Sequence, residues 1–424
     1  MAYQLLQQGS QRGLLGSLAA WLVAFAAAGS ADGQEWTRFR GPNGTGIGQA
    51  KELPAEWTDD DYLWKVELPG PGHSCPVLWG DRLFLTCGDE GTGERMVLAY
   101  DANTGKSLWT RRFPSQTHRK HALNSLATST PAVDEQRVYV AWATPEEFIV
   151  QALDHDGKSI WRVDLGPFKS GHGFGASPIV VGDVVIMPNE QEGDSFLLAL
   201  DCRDGSIRWR IARDSKTTYT TPCVRQAEDG RIEVIFTNFR YGVTAVDVAT
   251  GEIRWEKGVF PAEPLETAIG SPILADQLVF ATSGWLGRSG HVVAVKMPGG
   301  DLREPVESHR FDRATPLSTT PLAVNNLVFL WADEGIVTCA DLKTQKIHWR
   351  RRVGGTYYGS PIYADGKIYC ISADGEAVVL AASADYQLLG RTLLGDPSNS
   401  TPAIAHGRMY LRTVKHLMAL GPKE

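Results

Sequence analysis

The chain has 424 residues, of which 43% are hydrophobic and 21% charged, a composition that places it among soluble globular proteins and apart from disordered or fibrous ones. A net charge of -7 gives no broad electrostatic grip on nucleic acid or anionic lipid, so neither is expected as a partner. Six cysteines, Cys75, Cys87, Cys202, Cys223, Cys339 and Cys370, are scattered with no CxxC pair, which disfavours a metal or redox reading and leaves buried thiols or incidental disulfides.

In chain order, the first feature is Arg12 ahead of the apolar run "GLLGSLAAWLVAFAAAG" and the small residues "GSADG". A charged start, a short apolar stretch and a small-residue zone read as a signal peptide over residues 1–31, cut near Ala28 or Ala31, with an uncleaved anchor as the alternative. No later stretch is apolar enough to span a bilayer, so no stable membrane span is expected after cleavage. Residues 32–60 read as an extended N-terminal segment, and 61–424 as the folded body.

That body repeats. Eight prolines, Pro76, Pro131, Pro178, Pro222, Pro272, Pro321, Pro361 and Pro402, recur 40 to 55 residues apart, seven of them after Ser or Thr and the first after Cys75. Each opens a β-rich run. In seven units a two-residue turn follows at the fourth and fifth positions after the proline, from Gly80-Asp81 and Glu135-Gln136 to His406-Gly407; the fourth unit has the longer "RQAEDGRIEV". Such pairs signal hairpins with positive φ at the turn.

A second marker closes most units: "AYDANTGKSLW", "ALDHDGKSIW", "ALDCRDGSIRW", "AVDVATGEIRW" and "CADLKTQKIHW". Asp101, Asp154, Asp201, Asp247 and Asp341 are expected to accept turn amides, and Gly105, Gly157, Gly205 and Gly251 to supply positive φ. Trp109, Trp161, Trp209, Trp255 and Trp349 are expected to pack between sheets. Units five and seven carry "EPVESHRF" and "ASADYQLLGRTLL" instead. A four-stranded unit repeated every 45 residues or so is a propeller blade. The last unit lacks a fourth strand, and "DYLWKVELPG" with Trp64 supplies it from the other end of the chain. The fold expected is therefore all-β: an eight-bladed propeller closed by its N-terminal strand, and monomeric.

The repeated turn, the Ser/Thr-Pro start and the eightfold count resemble the PQQ-binding-like β-propeller repeat family, which takes in quinoprotein alcohol dehydrogenases and the assembly lipoprotein BamB. "WTRFRGPNGTGIG", "LPAEW" and "WKVELPGPGHSCPVLWGDRLFL" resemble an exported, single-propeller, BamB-like subgroup. The dehydrogenases of this family carry adjacent cysteines and a calcium site; here no two cysteines are neighbours and no acidic cluster has calcium-ligand spacing. No Cys follows the apolar run to take a lipid.

Function is expected on the face formed by the long connections from fourth to first strand and from second to third. The candidates bordering the central funnel are His73, Asn124, His172, Tyr219, Tyr357, Tyr358 and Asn399, with Trp285, Arg240, Arg288 and Arg412 reaching it from other loops. His118 and His121 have metal-like spacing but lie in a loop without carboxylates. No Gly-x-Ser-x-Gly, HExxH, Walker loop or GxGxxG is present, so no catalytic residue and no metal ligand is assigned. The reading is an exported, non-catalytic scaffold in the periplasm or extracellular envelope that binds a protein or glycan without cofactor. The alternative is a PQQ-dependent oxidoreductase, with Ca²⁺, acting on alcohols or sugars.

Overall fold

A blade's worth of alternating β-branched and apolar residues cannot bury both faces of one sheet, so the sheets stack around an axis. The computed structural model describes residues 35–261, 266–285 and 290–423. It contains eight four-stranded antiparallel sheets, seven of them built from consecutive strands A to D, such as Val77–Trp79, Arg82–Gly88, Arg95–Asp101 and Ser107–Phe113 in blade 1. Blade 8 takes its outer strand, Tyr62–Glu67, from the start of the propeller. That strand pairs with His416–Leu420 and sets Trp64 opposite Ala419, the register that sets Trp109 opposite Ala99 and Trp209 opposite Ala199. The proposed signal peptide and Arg288 lie outside the described residues.

The Asp turn and the tryptophan form one inter-blade joint. Asp101 Oδ1 accepts the backbone N–H of Thr104 at 2.8 Å, and Trp64 Nε1 donates to the Ala102 carbonyl of that turn at 3.0 Å. Trp109, Trp161 and Trp209 repeat the bond to His155, Cys202 and Val248 at 2.8 to 2.9 Å. Gly105 has φ 70°, and a Cβ there would lie 2.6 Å from the Trp64 ring. Blade 5 has His309 in place of the outer-strand tryptophan, and the corresponding turn of blade 6 holds Gln345 at φ 59°, bonded to Ser308 Oγ at 3.3 Å. At this joint the ring and the glycine are both absent, whereas Trp349 of blade 6 keeps its bond, to the Ser383 carbonyl at 3.1 Å, on a turn without glycine. In blade 7 the tryptophan position is Gly390, and residues Ala55 and Glu56 of the N-terminal segment occupy the space.

Positive φ marks the A-to-B turns at Gly80, Gly182, Asp276, Asn325, Asp365 and His406. Glu135-Gln136 differs, with neither residue at positive φ. Asp134 Oδ1 accepts the N–H groups of Gln136 and Arg137 at 2.8 and 2.7 Å, so a side-chain-capped turn replaces the left-handed one.

The residue before each proline builds the axis. The N–H of Cys75 donates to Thr130 Oγ1, that of Thr130 to Ser177 Oγ, and that of Thr221 to Ser271 Oγ, at 2.9 to 3.0 Å. The series continues through Thr320, Ser360 and Thr401 and returns to Cys75 Sγ, which accepts from Thr401 N–H at 3.3 Å. Seven of the eight blade-to-blade steps are made this way. The Ser/Thr-Pro signature is thus a belt that joins neighbouring blades around the axis. All six cysteines are buried and none is bonded to another.

Below the belt, on the tight-turn face, the A strands present unpaired inner edges, and residues 36–48 cover them. The carbonyls of Trp36, Thr37 and Gly46 accept from Leu78, Val133 and Tyr363 at 2.7 to 2.9 Å, and Asn43 bonds both backbone groups of Val224 at 2.7 Å. Arg40 is fully buried; Nη1 donates to the Pro361 carbonyl at 2.7 Å and Nη2 to that of Pro321 at 3.0 Å. Arg38 donates to the Pro222 carbonyl. The segment expected to be merely extended is a plug across one end of the axis.

Candidate functional site

Between the belt and the D-to-A loops lies an axial funnel of about 300 Å³, near the lower bound for small-molecule sites. Phe39, standing between Arg38 and Arg40 in the plug, lines it, as do the belt residues Cys75, Thr130, Ser177 and Thr221. The plug therefore makes it a one-ended cup.

Seven predicted residues meet here: His73, Asn124, His172, Tyr219, Trp285, Tyr358 and Asn399. His73 precedes the first belt position by two residues, and its Nε2 lies 3.4 Å from the Asn399 amide nitrogen. Burial, aided by the Arg412 charge, lowers its pKa to about 4, so the ring is neutral near pH 7. Tyr219 is pushed up to about 12 by burial and stays protonated, its hydroxyl 3.4 Å from Ser170 Oγ. Asn124 ties two loops together: Nδ2 donates to the His172 carbonyl at 2.8 Å and the Phe174 carbonyl at 3.2 Å. Trp285, 44% exposed, stands at the rim.

Three others lie elsewhere. Arg240 is exposed and paired with Asp214 at 2.8 Å. Tyr357 is buried in the core of blades 6 and 7 against Trp331, with ring centroids 5.2 Å apart. Arg412 is 0% exposed within the wall; Nη1 donates to the Ser74 carbonyl at 2.8 Å, and Nη2 lies 3.3 Å from Cys87 Sγ. His118 and His121 do not share a site. His121 stacks near His172, with centroids 5.2 Å apart, while His118 sits in a separate cleft with Arg95. Among the described residues, no group of three or more His, Cys, Asp or Glu is placed to hold a metal ion.

Sequence reasoning missed Phe39 and the guanidiniums beside it. The "FRG" in "WTRFRGPNG" was visible, but nothing local says that the segment folds under the axis.

Fold and cup together define an eight-bladed propeller of the PQQ-repeat class. A family model described as outer membrane protein assembly factor BamB matches residues 55–303 and 288–388, and the chain belongs to that family. BamB of Yersinia pestis is 24% identical over 324 residues, 74% of this chain and 66% of the relative, so the match spans slightly less than two thirds of that protein. BamB of Salmonella typhimurium is 25% identical over 290 residues, covering 64% of this chain and 69% of its own length. Among solved structures, BamB from Moraxella catarrhalis aligns with a TM-score of 0.63 at 18% identity, covering 86% of this chain and 98% of that one. Quinohemoprotein alcohol dehydrogenase from Comamonas testosteroni aligns at 0.70 and 14% identity, covering 92% and 81%. At these identities both structures are likenesses of fold alone.

The fold class raises PQQ and calcium, and the lining does not fit them. PQQ is a rigid tricyclic tricarboxylate whose three charges call for several cationic side chains in direct contact, and no Lys or Arg lines the cup among the described residues. Calcium needs several oxygen ligands, usually including carboxylates, and no Asp or Glu lines it either.

Proposed function

We propose that the chain is a non-catalytic scaffold of the cell envelope that holds a protein partner of outer-membrane protein assembly on its loop face. The family match carries this reading, since its description and the curated relatives named above are outer membrane protein assembly factors. The geometry supports it by dividing labour between the faces. Tight turns and the plug fix the ring on one side, while the longer connections project from the other with Trp285 exposed among them. In this reading the N-terminal apolar run directs export, the propeller works as a monomer in the periplasm, and no cofactor is used. Among the described residues no helix is long and apolar enough to cross a membrane.

The test is depletion of the chain in the cell that encodes it, with the folded fraction of outer-membrane β-barrels followed by heat-modifiable gel mobility. A fall restored by the wild-type chain, and poorly by Trp285→Asp, supports the scaffold. Unchanged barrel folding overturns it.

A further inference from the structure

The cup has an electrostatic peculiarity that the scaffold reading does not use. Arg38, Arg40 and Arg412 are at most 6% exposed. All are bonded to backbone carbonyls, and among the described residues none has a carboxylate partner. The ionisable groups acting on them are thiols: Cys223 for Arg38, Cys370 and Cys75 for Arg40, and Cys87 and Cys75 for Arg412, with Tyr100 also acting on Arg412. Burial draws Arg38 down to about 10 and Arg40 to about 9, which still leaves both protonated at neutral pH.

Each guanidinium is one step from the lining. Arg38 and Arg40 flank Phe39, and Arg412 holds the carbonyl of Ser74, between His73 and Cys75. Positive charge thus collects under the base and in the wall of a cup whose own lining has no Asp, Glu, Lys or Arg among the described residues. Low surrounding dielectric carries the field further there than at an exposed site, and salt screens it less. The same charge helps keep His73 unprotonated. Around the opening stand aromatic faces (Trp285, Tyr219, Tyr358) and neutral hydrogen-bonding groups (Asn399, His73, Ser318). Flat aromatic surfaces beside amides and hydroxyls suit a ligand with apolar C–H faces and a rim of hydroxyls, and the enclosed volume limits it to a small one.

We infer that the axial cup binds a small acidic sugar, a uronic acid or the uronate end of a glycan, with the ring against the rim aromatics and the carboxylate toward the base. This goes beyond the scaffold reading and does not depend on it, because the partner protein would engage the loops around the opening.

The experiment is titration calorimetry of the purified chain with glucuronate, glucose and glucosamine, which share a ring and differ mainly in charge. Glucuronate is expected to bind at least about tenfold more tightly than glucose, with glucosamine weakest, and the order should persist when salt is raised. Glucose binding as well as glucuronate, glucosamine binding best, or no saturable heat from any of the three overturns the inference. Trp285→Ala, at an exposed site that folding tolerates, should weaken glucuronate at least about fivefold; unchanged affinity places binding elsewhere and also overturns it. Arg412→Gln should lower the glucuronate-to-glucose ratio, and an unaltered ratio in a folded variant counts against the charge argument. Because barrel folding in cells plays no part in these readings, failure here and failure of the scaffold assignment are distinguishable.

Discussion

The two ends of the propeller axis solve opposite problems with the same inner strands. On the tight-turn face, the chain's own residues 36–48 pair the A-strand edges and drive two arginines into backbone carbonyls. On the loop face, the A strands open into a cup lined by no acidic residue and no Lys or Arg among the described residues. The first arrangement depends on long-range contacts and should be costly to disturb. The second is held by the belt and by loops, and its polar groups should contribute less to stability than to recognition.

The largest effect should follow Arg40→Ala, which leaves the Pro361, Pro321, Thr45 and Gly44 carbonyls without their donor. A loss of about 3–5 kcal/mol is expected in denaturant unfolding, and a loss under about 1 kcal/mol would break the contrast between the ends. The walls come next. Trp161→Ala should cost about 3 kcal/mol, because the ring packs on the Gly205 turn and donates to Cys202. His309→Ala, at the matching position of blade 5, should cost under about 1 kcal/mol.

At the cup, His73 links stability to pH. Its folded pKa of about 4 lies below the ordinary 6.5, so its contribution is complete above 6.5 and is lost as pH falls toward 4. Glu190, raised by burial to about 7, acts in the opposite sense: its contribution is complete below about 4.5 and lost as pH rises through 7. Comparing His73→Gln with the wild type cancels the Glu190 effect. The difference should reach about 2–3 kcal/mol at the acid end, and parallel unfolding curves across this window would refute the assignment. The smallest effect should come from the rim: Arg240→Ala removes an exposed ion pair and should change stability by less than about 0.5 kcal/mol.

The blade count, the ring closure through Trp64 and the tryptophan joint were legible because each recurs, and recurrence separates architecture from accident. The Ser/Thr-Pro marker was legible as a period, but its role was not, since the hydroxyl's partner is an amide some 40 to 55 residues away. Tyr357 and Tyr358 show the limit more sharply. Neighbours in sequence, one packs on Trp331 and the other lines the cup, and alternation along an irregular loop does not say which. Arg412 reads from sequence as a funnel-facing group because it leads into a second-to-third-strand loop on that face. Its partners are the carbonyl and hydroxyl of Ser74 and the thiol of Cys87, all more than 300 residues earlier in the chain and beyond any local pattern.

Closure of blade 8 by the strand Tyr62–Glu67 also bears on how the chain is made. The first strand of the propeller to leave the ribosome waits for the last, so the ring cannot shut until His416–Leu420 has been made. Pairings of such sequence separation form slowly, and until they do the early blades have open edges. Under the export proposed above, that delay keeps the ring open during passage: the step that locks it is withheld until both ends are on the same side.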